Sequence, residues 1–256
     1  LLEAFTVEIR EMRVLDPACG SGNFLYVALR QLLDLWKEVS TLASELGLPH
    51  LLPTSAPSPA QLFGIELNEY AYELAQATIW IGYIQWLREN GFGQPAPPIL
   101  KALDNIKNID AILAYDEAGN PIESSWQEAD VIIGNPPFLG SGKFRRELGE
   151  DYTQNLWKIY ENKIPAGSDL VCYWFEKART LLSRSRVGLL ATQTIRIGAN
   201  AKVLQKIKKT GDIFMAWSDR EWVLDGAAVR VSMIGFDKGT EKRRELDGMK
   251  VKQINS

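Results

Sequence analysis

The sequence predicts an open α/β fold, a mostly parallel sheet layered with helices and finished by an antiparallel hairpin. Short apolar runs at 13–16, 62–65, 131–133 and 187–191 have the length of buried strands, and each stops at a polar, glycine or proline residue. Helix-period segments lie between them. Near the C-terminus, strand-like stretches at 213–217 and 229–236 flank Asp225-Gly226, a dipeptide suited to a tight hairpin turn.

In chain order, residues 1–10 read as the last turns of a helix, with no initiator Met. Arg-Val-Leu-Asp (13–16) reads as the first strand, Pro-Ala-Cys-Gly-Ser-Gly (17–22) as a glycine loop, and Asn23 as the start of a helix. Phe24, Ala28, Leu32 and Trp36 recur at helical spacing and predict its buried face. Residues 47–60, with four prolines, read as a surface loop. Residues 62–65 form the second strand, and Asn68 is placed to cap the next helix. Ala71, Leu74, Ala75, Ile79, Ile81, Ile84 and Trp86 make that helix apolar nearly all round, so it is expected to be largely buried. After a Gly/Pro break at 91–98, residues 106–113 read as a third strand ending at Asp110, and 115–126 as a turn-rich insertion. Residues 169–182 predict a helix with Val171, Trp174, Phe175, Ala178 and Leu182 on one face and Asp169 as its cap. The strand at 187–191 leads into a polar stretch at 193–200, where side chains at the sheet edge can meet a substrate. A basic helix covers 202–209, and a charged tail follows Gly239.

The 256 residues suffice for one large or two small domains, and 46% apolar with 24% charged residues is ordinary for a soluble globular chain. No apolar run approaches a membrane span and the N-terminus is not a secretion signal, so a cytoplasmic protein without membrane contact is expected. Cys19 and Cys172 are too few for a disulfide framework and read as small buried hydrophobes. With one histidine, His50, they cannot build a zinc site, and no metal is expected. The net charge of −3 is unfavourable for binding duplex phosphates. A nucleic-acid role therefore requires clustered positive charge, or a binding surface supplied by other parts of a longer chain; the second is preferred.

The chemistry concentrates in two places. Ala-Asp-Val-Ile-Ile-Gly-Asn-Pro-Pro-Phe (129–138) is a strand that ends in a rigid corner, because each proline fixes its own φ and pushes its predecessor out of the helical region. Ligands in open α/β sheets sit at that carboxyl edge. Such a corner suits methyl transfer to an exocyclic amine, whose lone pair is delocalised into its ring. The Asn135 side-chain oxygen can accept one amine proton and the Pro136 carbonyl the other, favouring a pyramidal nitrogen. Pro137 stiffens the loop, and Phe138 can stack on the heterocycle. The other place is the glycine loop. Gly20 and Gly22 let the backbone approach a ligand closely, and the helix N-terminus favours its carboxylate. The loop is shorter than a dinucleotide fingerprint, so nothing demands a pyrophosphate. Glu66, just after the second strand, is placed to accept ribose hydroxyls.

Asp-Pro-Ala-Cys-Gly-Ser-Gly followed by Asn-Pro-Pro-Phe resembles motifs I and IV of amino-group DNA methyltransferases in the gamma motif order. More closely, the chain resembles the methyltransferase part of the MmeI-like restriction–modification group. The resemblance extends through 63–86, 147–152, 169–177 and 217–236, covering essentially the whole chain. It implies a class I, Rossmann-like fold with a seven-stranded, mostly parallel sheet and a C-terminal antiparallel hairpin. Residues 1–256 would then be one catalytic domain, with a cofactor-binding half at 11–138 and a target-base half at 139–240. It also implies S-adenosylmethionine as donor and the adenine N6 amine of double-stranded DNA as acceptor. Donor contacts fall on Asp16, Ala18, Gly20, Gly22, Asn23, Phe24, Glu66, Leu67, Asp110 and Ala111. Asp104 rivals Asp110 for the cofactor's adenine, and Asp-Ala-Ile-Leu fits the family pattern better. Trp222 is the candidate for a second target-base contact from the hairpin. Lys143, Arg145 and Arg146, in the glycine-flanked loop 139–149, are candidates for phosphate contact or closure over the base. The upstream cofactor-contacting segment and the downstream target-recognition domain are not found, so the chain reads as part of a longer protein in which a nuclease is also conceivable. Two rivals stay open: an RNA adenine or protein glutamine methyltransferase, which share Asn-Pro-Pro-aromatic loops, and a donor-binding fragment without activity.

Overall fold

The structure, a computed structural model, describes residues 2–47, 56–92, 103–182, 185–224 and 227–255. The chain forms two units, Leu1–Ile109 and Asp110–Ser256. Most of the Pro-rich loop, most of the break at 91–98, His50 and the turn residues Asp225 and Gly226 lie outside the described residues.

In the first unit, α1 (Leu2–Glu11) precedes β1 (Val14–Asp16), and the glycine loop feeds α2 (Asn23–Glu45). A single 3-10 turn (Pro59–Gln61) enters β2 (Leu62–Ile65), followed by α3 (Glu69–Glu89) and β3 (Ile106–Lys107). β2 pairs in parallel with β1 (Val14↔Leu62) and with β3 (Gly64↔Ile106). The Asn68 side chain caps α3 as expected, accepting the Ala71 N–H at 2.9 Å. The buried face of α2 is Leu25, Leu29, Leu32, Leu33, Trp36, Val39 and Ala43. It is rotated by one residue from the expected stripe, leaving Phe24 and Ala28 half-buried at its margin. α3 also departs from expectation. It buries Ala75, Gln76, Ile79, Gly82, Trp86 and Leu87, while Leu74 and Ile81 are exposed. Gly82 explains part of this: a Cβ there would lie 2.2 Å from the Tyr26 ring of α2.

The second unit opens with an antiparallel ribbon, β4 (Leu113–Tyr115) with β5 (Pro121–Glu123), where only a turn-rich insertion was expected. β6 (Val131–Gly134) leads through α4 (Phe144–Glu147), α5 (Glu150–Tyr160) and α6 (Val171–Thr180) to β7 (Arg186–Thr192). α7 (Gly198–Thr210) precedes the long hairpin of β8 (Asp212–Leu224) and β9 (Ala227–Asp237). β6 and β7 are parallel; β9 is antiparallel to both β7 and β8. The third strand is shorter than expected and stops at Lys107. Asp110 lies beyond it in a turn, its carboxylate accepting the N–H groups of Ile112 and Leu113.

The charged tail is not a tail. It folds as β10 (Arg244–Leu246) and β11 (Met249–Val251), with β10 parallel to β8. The turn between them puts Asp247 at φ 52 and Gly248 at φ 80, the left-handed pair of a two-residue hairpin. The Asp247 carboxylate accepts the Ser218 N–H at 2.7 Å and the Ser218 hydroxyl at 2.8 Å. Three strands in the first unit and six in the second unit's main sheet replace the seven expected, and the surplus is this hairpin. The α/β class stands. Among the described residues, no helix is long and apolar enough to cross a membrane.

α6 is buried on every side from Val171 to Ala178, charged residues included. Glu176 accepts two hydrogen bonds from Arg179 at 2.8 Å each. Lys177 donates to the Ser124 carbonyl, and burial lowers its pKa to about 8 against the pull of Glu123. Both cysteines are buried and reduced, and burial raises both thiol pKa values.

Candidate active site

In the first unit, Gly20 and Gly22 adopt φ +53 and +83, the left-handed region that favours glycine. A Cβ on Gly22 would lie 3.0 Å from the Ala75 backbone, so the missing side chain lets the loop rest on α3. At Gly20 a Cβ would meet nothing within 4 Å, leaving that backbone open to an approaching molecule. Gly22 is also the N-cap of α2, with no side chain capping the first turn. Its free N–H groups carry the positive end of the helix dipole. Asn23 is exposed there and Phe24 half-buried.

Glu66 holds this loop. Its Oε2 accepts the Gly20 N–H at 2.9 Å and its Oε1 the Asn68 N–H at 2.8 Å. Asn108 donates to the Glu66 and Leu67 carbonyls at 2.8 and 3.1 Å. Two lone pairs remain on the carboxylate for a ligand. Leu67 is 68% exposed. Asp16 is 1% exposed. Its Oδ1 accepts the Ala18 N–H at 3.0 Å, and its Oδ2 is buried with no partner. Burial raises the Asp16 pKa from 3.8 to about 7, opposed by the Ala18 N–H and reinforced by Glu66.

In the second unit, β6 ends at Gly134 and delivers Asn135, whose side-chain Oδ1 is buried with no hydrogen-bond partner. Buried acceptors are rarely left unpaired, and this oxygen keeps its capacity to accept a hydrogen bond. Pro136 is buried, Pro137 exposed and Phe138 half-buried. Phe138 lines a pocket of about 440 Å³ with Gly140, Asp169, Thr192, Gln193 and Arg230. Loops from two adjacent parallel strands, β6 and β7, thus contribute to one hollow, which Gln193 and Thr194 of the polar stretch line. Asp169 is not the side-chain cap of α6; its carboxylate bonds Ser141, Thr194 and Asn200 instead.

The remaining candidates are scattered. Asp110 uses Oδ2 to accept the Tyr152 hydroxyl at 2.8 Å, a partner 42 positions away that nothing local in the sequence announces. Ala111 is buried, and its carbonyl accepts the Trp126 indole N–H at 2.7 Å. Asp104 is exposed. In the basic loop, Arg145 pairs with Glu150 at 3.1 Å and covers the Trp157 ring, and Arg146 pairs with Glu147 at 2.6 Å. Lys143 is exposed, and buried Phe144 anchors the segment. Trp222 pairs with Val229 on the hairpin, and its side chain lies outside the described residues.

The family model described as "MmeI, DNA-methyltransferase domain" matches residues 1–247. The chain belongs to the MmeI DNA-methyltransferase domain family. Among curated proteins it is 28% identical over 247 residues to DNA methyltransferase A of Bacillus subtilis (strain 168), covering 92% of this chain and 27% of that protein. It is 24% identical over 200 residues to Type II methyltransferase M.BstVI of Geobacillus stearothermophilus, covering 77% of this chain and 31% of that protein. Among solved structures, the restriction–modification enzyme MmeI in complex with DNA superposes with a TM-score of 0.79 at 24% identity. That match covers 99% of this chain and 36% of MmeI. The MmeI-family chain thus spans about a third or less of these relatives, and its fold is that of class I S-adenosylmethionine-dependent methyltransferases.

Proposed function

We propose that this MmeI-family domain transfers a methyl group from S-adenosylmethionine to the N6 amine of an adenine turned out of duplex DNA. The observation that carries the reading is the unpartnered, buried Oδ1 of Asn135 at the carboxyl end of β6, followed by Pro136, Pro137 and then Phe138, which lines the pocket. Turning the base out costs a few kcal/mol. Asn135 Oδ1 accepts a hydrogen bond from one N6–H and the Pro136 carbonyl from the other, which draws the amine lone pair out of conjugation. Phe138 stacks on the ring and fixes its plane. Positioning and hydrogen bonding supply the catalysis, with no covalent enzyme intermediate.

The residues present fit the donor. Bound, S-adenosylmethionine supplies an electrophilic methyl group on a sulfonium. Asp16 Oδ2, buried and unpaired, is an acceptor for the donor's ammonium. The open backbone at Gly20 and the free first turn of α2 receive its carboxylate. Glu66 takes the ribose hydroxyls with its remaining lone pairs, Leu67 offers apolar cover to the adenine, and Asp110 accepts from the adenine amine. The parent protein is proposed to bind double-stranded DNA through its further domains and to act in restriction–modification in the cytoplasm.

Two experiments bear on this. Incubating the parent protein with tritiated donor and unmodified genomic DNA, RNA or protein should label DNA alone, and nucleoside analysis should return N6-methyladenine. Label in RNA or protein instead would overturn the reading. The second concerns pH. Asp16 in the folded chain titrates near 7, above its unfolded 3.8, so the folded state holds an extra proton between about pH 4 and 7. Folding stability therefore falls as pH rises through that window, while the charge of Asp16 becomes available to a cation. Donor affinity should rise up to about pH 7 and fall above roughly pH 8, where an α-amino group loses its own proton. Asp16→Asn should flatten the rising limb in calorimetric titrations.

A further inference from the structure

We propose that Asp169 is a positioning residue for this reaction, tying the outgoing limb of the Asn135–Phe138 corner to the turn that follows β7. The inference rests on the methyl-transfer reading above.

The limb is held from one short segment. Leu170 N–H donates to the Leu139 carbonyl at 2.9 Å, the Ser141 hydroxyl donates to the Gly167 carbonyl at 2.9 Å, and Ser141 N–H donates to Asp169 Oδ1 at 3.3 Å. The other oxygen of the same carboxylate accepts the Thr194 hydroxyl at 2.9 Å and the Asn200 amide at 2.8 Å. Asn200, itself 6% exposed, returns the bond by accepting the Asp169 N–H at 2.8 Å. One carboxylate therefore spans the loops leaving two adjacent parallel strands, and both loops line the pocket that Phe138 shares. Three donors converge on Asp169, a demand that only an acceptor-only group meets. An amide there would turn N–H toward N–H or O–H. The predicted result is a Phe138 ring that loses its set distance to the base. Misplacement on the order of 1 Å costs up to roughly 100-fold in rate.

The test uses the full parent protein, tritiated donor and unmodified genomic DNA. Asp169→Asn should lower kcat roughly 10- to 100-fold while leaving the KM for donor unchanged. Asp169→Asn combined with Asn200→Asp restores the reciprocal pair, at the loss of the acceptor for the Thr194 hydroxyl and of the Asn200 bond to the Thr194 carbonyl, and should recover part of kcat. A purely structural role would instead lower yield and melting temperature without that reciprocal recovery. If Asp169→Asn does not fold, Thr194→Val removes one of the three donors and should still lower kcat at unchanged donor KM. Unchanged kcat in the folded variant, or no recovery in the exchange, overturns the proposal. A wild-type protein that methylates no DNA overturns the underlying reading instead, and the two failures are distinct.

Discussion

Asn135→Ala should lower the methyl-transfer rate roughly 10²- to 10³-fold, the cost of losing a hydrogen bond aimed at charge that develops in the transition state. Donor affinity should not move, because the donor's proposed contacts are on other residues. Stability should hold or rise: the substitution deletes a buried acceptor that has no partner in the folded chain, and such atoms are destabilising. Loss of activity together with an undiminished melting temperature separates this outcome from misfolding. Single-turnover methylation and calorimetry read the two quantities. A variant with wild-type turnover would remove Asn135 from the chemistry.

The largest expected loss of stability is elsewhere, at Gly211 between α7 and β8. Its φ of −161° is ordinary extended backbone, so the cost of a side chain is purely steric. A Cβ would stand 2.1 Å from the Asp237 carbonyl oxygen. That carbonyl cannot easily yield, because the Asp237 side chain is itself fastened by Gly239 at 2.7 Å, the Thr240 hydroxyl at 2.6 Å and Glu241 N–H at 2.9 Å. Overpacking of this kind costs about 3 kcal/mol. In a domain of this size the melting temperature should fall by roughly 6–12 °C. Thermal unfolding of Gly211→Ala checks it, and a midpoint unchanged from wild type would show the crossing to be loose.

What the sequence conveyed was mostly local. β2 is an isolated apolar run and emerges at the expected residues, and the Asn68 cap follows from one side chain and the N–H three positions on. The Asn-Pro-Pro-Phe corner was equally legible, because proline restricts the chain without help from its surroundings. Where two local readings were equally good, the sequence could not choose. α2 carries neighbouring apolar stripes, and Leu25, Leu29 and Leu33 won over Phe24 and Ala28 through packing alone. The third strand is shorter than its pattern suggests because Asn108 turns its side chain to the Glu66 and Leu67 carbonyls just past Lys107 and Asp110 draws two N–H groups into a turn. Asp247-Gly248 carries the same signal as Asp225-Gly226, but its flanking strands are charged and show no apolar alternation. The Asp169–Asn200 pair, 31 positions apart, left no trace in spacing or composition.

Glu66 has a consequence for kinetics. Because its two oxygens tie Gly20 and Asn68 by bonds within the chain itself, the shape of the glycine turn is settled when the protein folds rather than when a ligand arrives. Capture then requires little conformational entropy to be surrendered at the moment of encounter. Association through this turn should run at the pace of diffusion and orientation, without a slow isomerisation phase in stopped-flow traces.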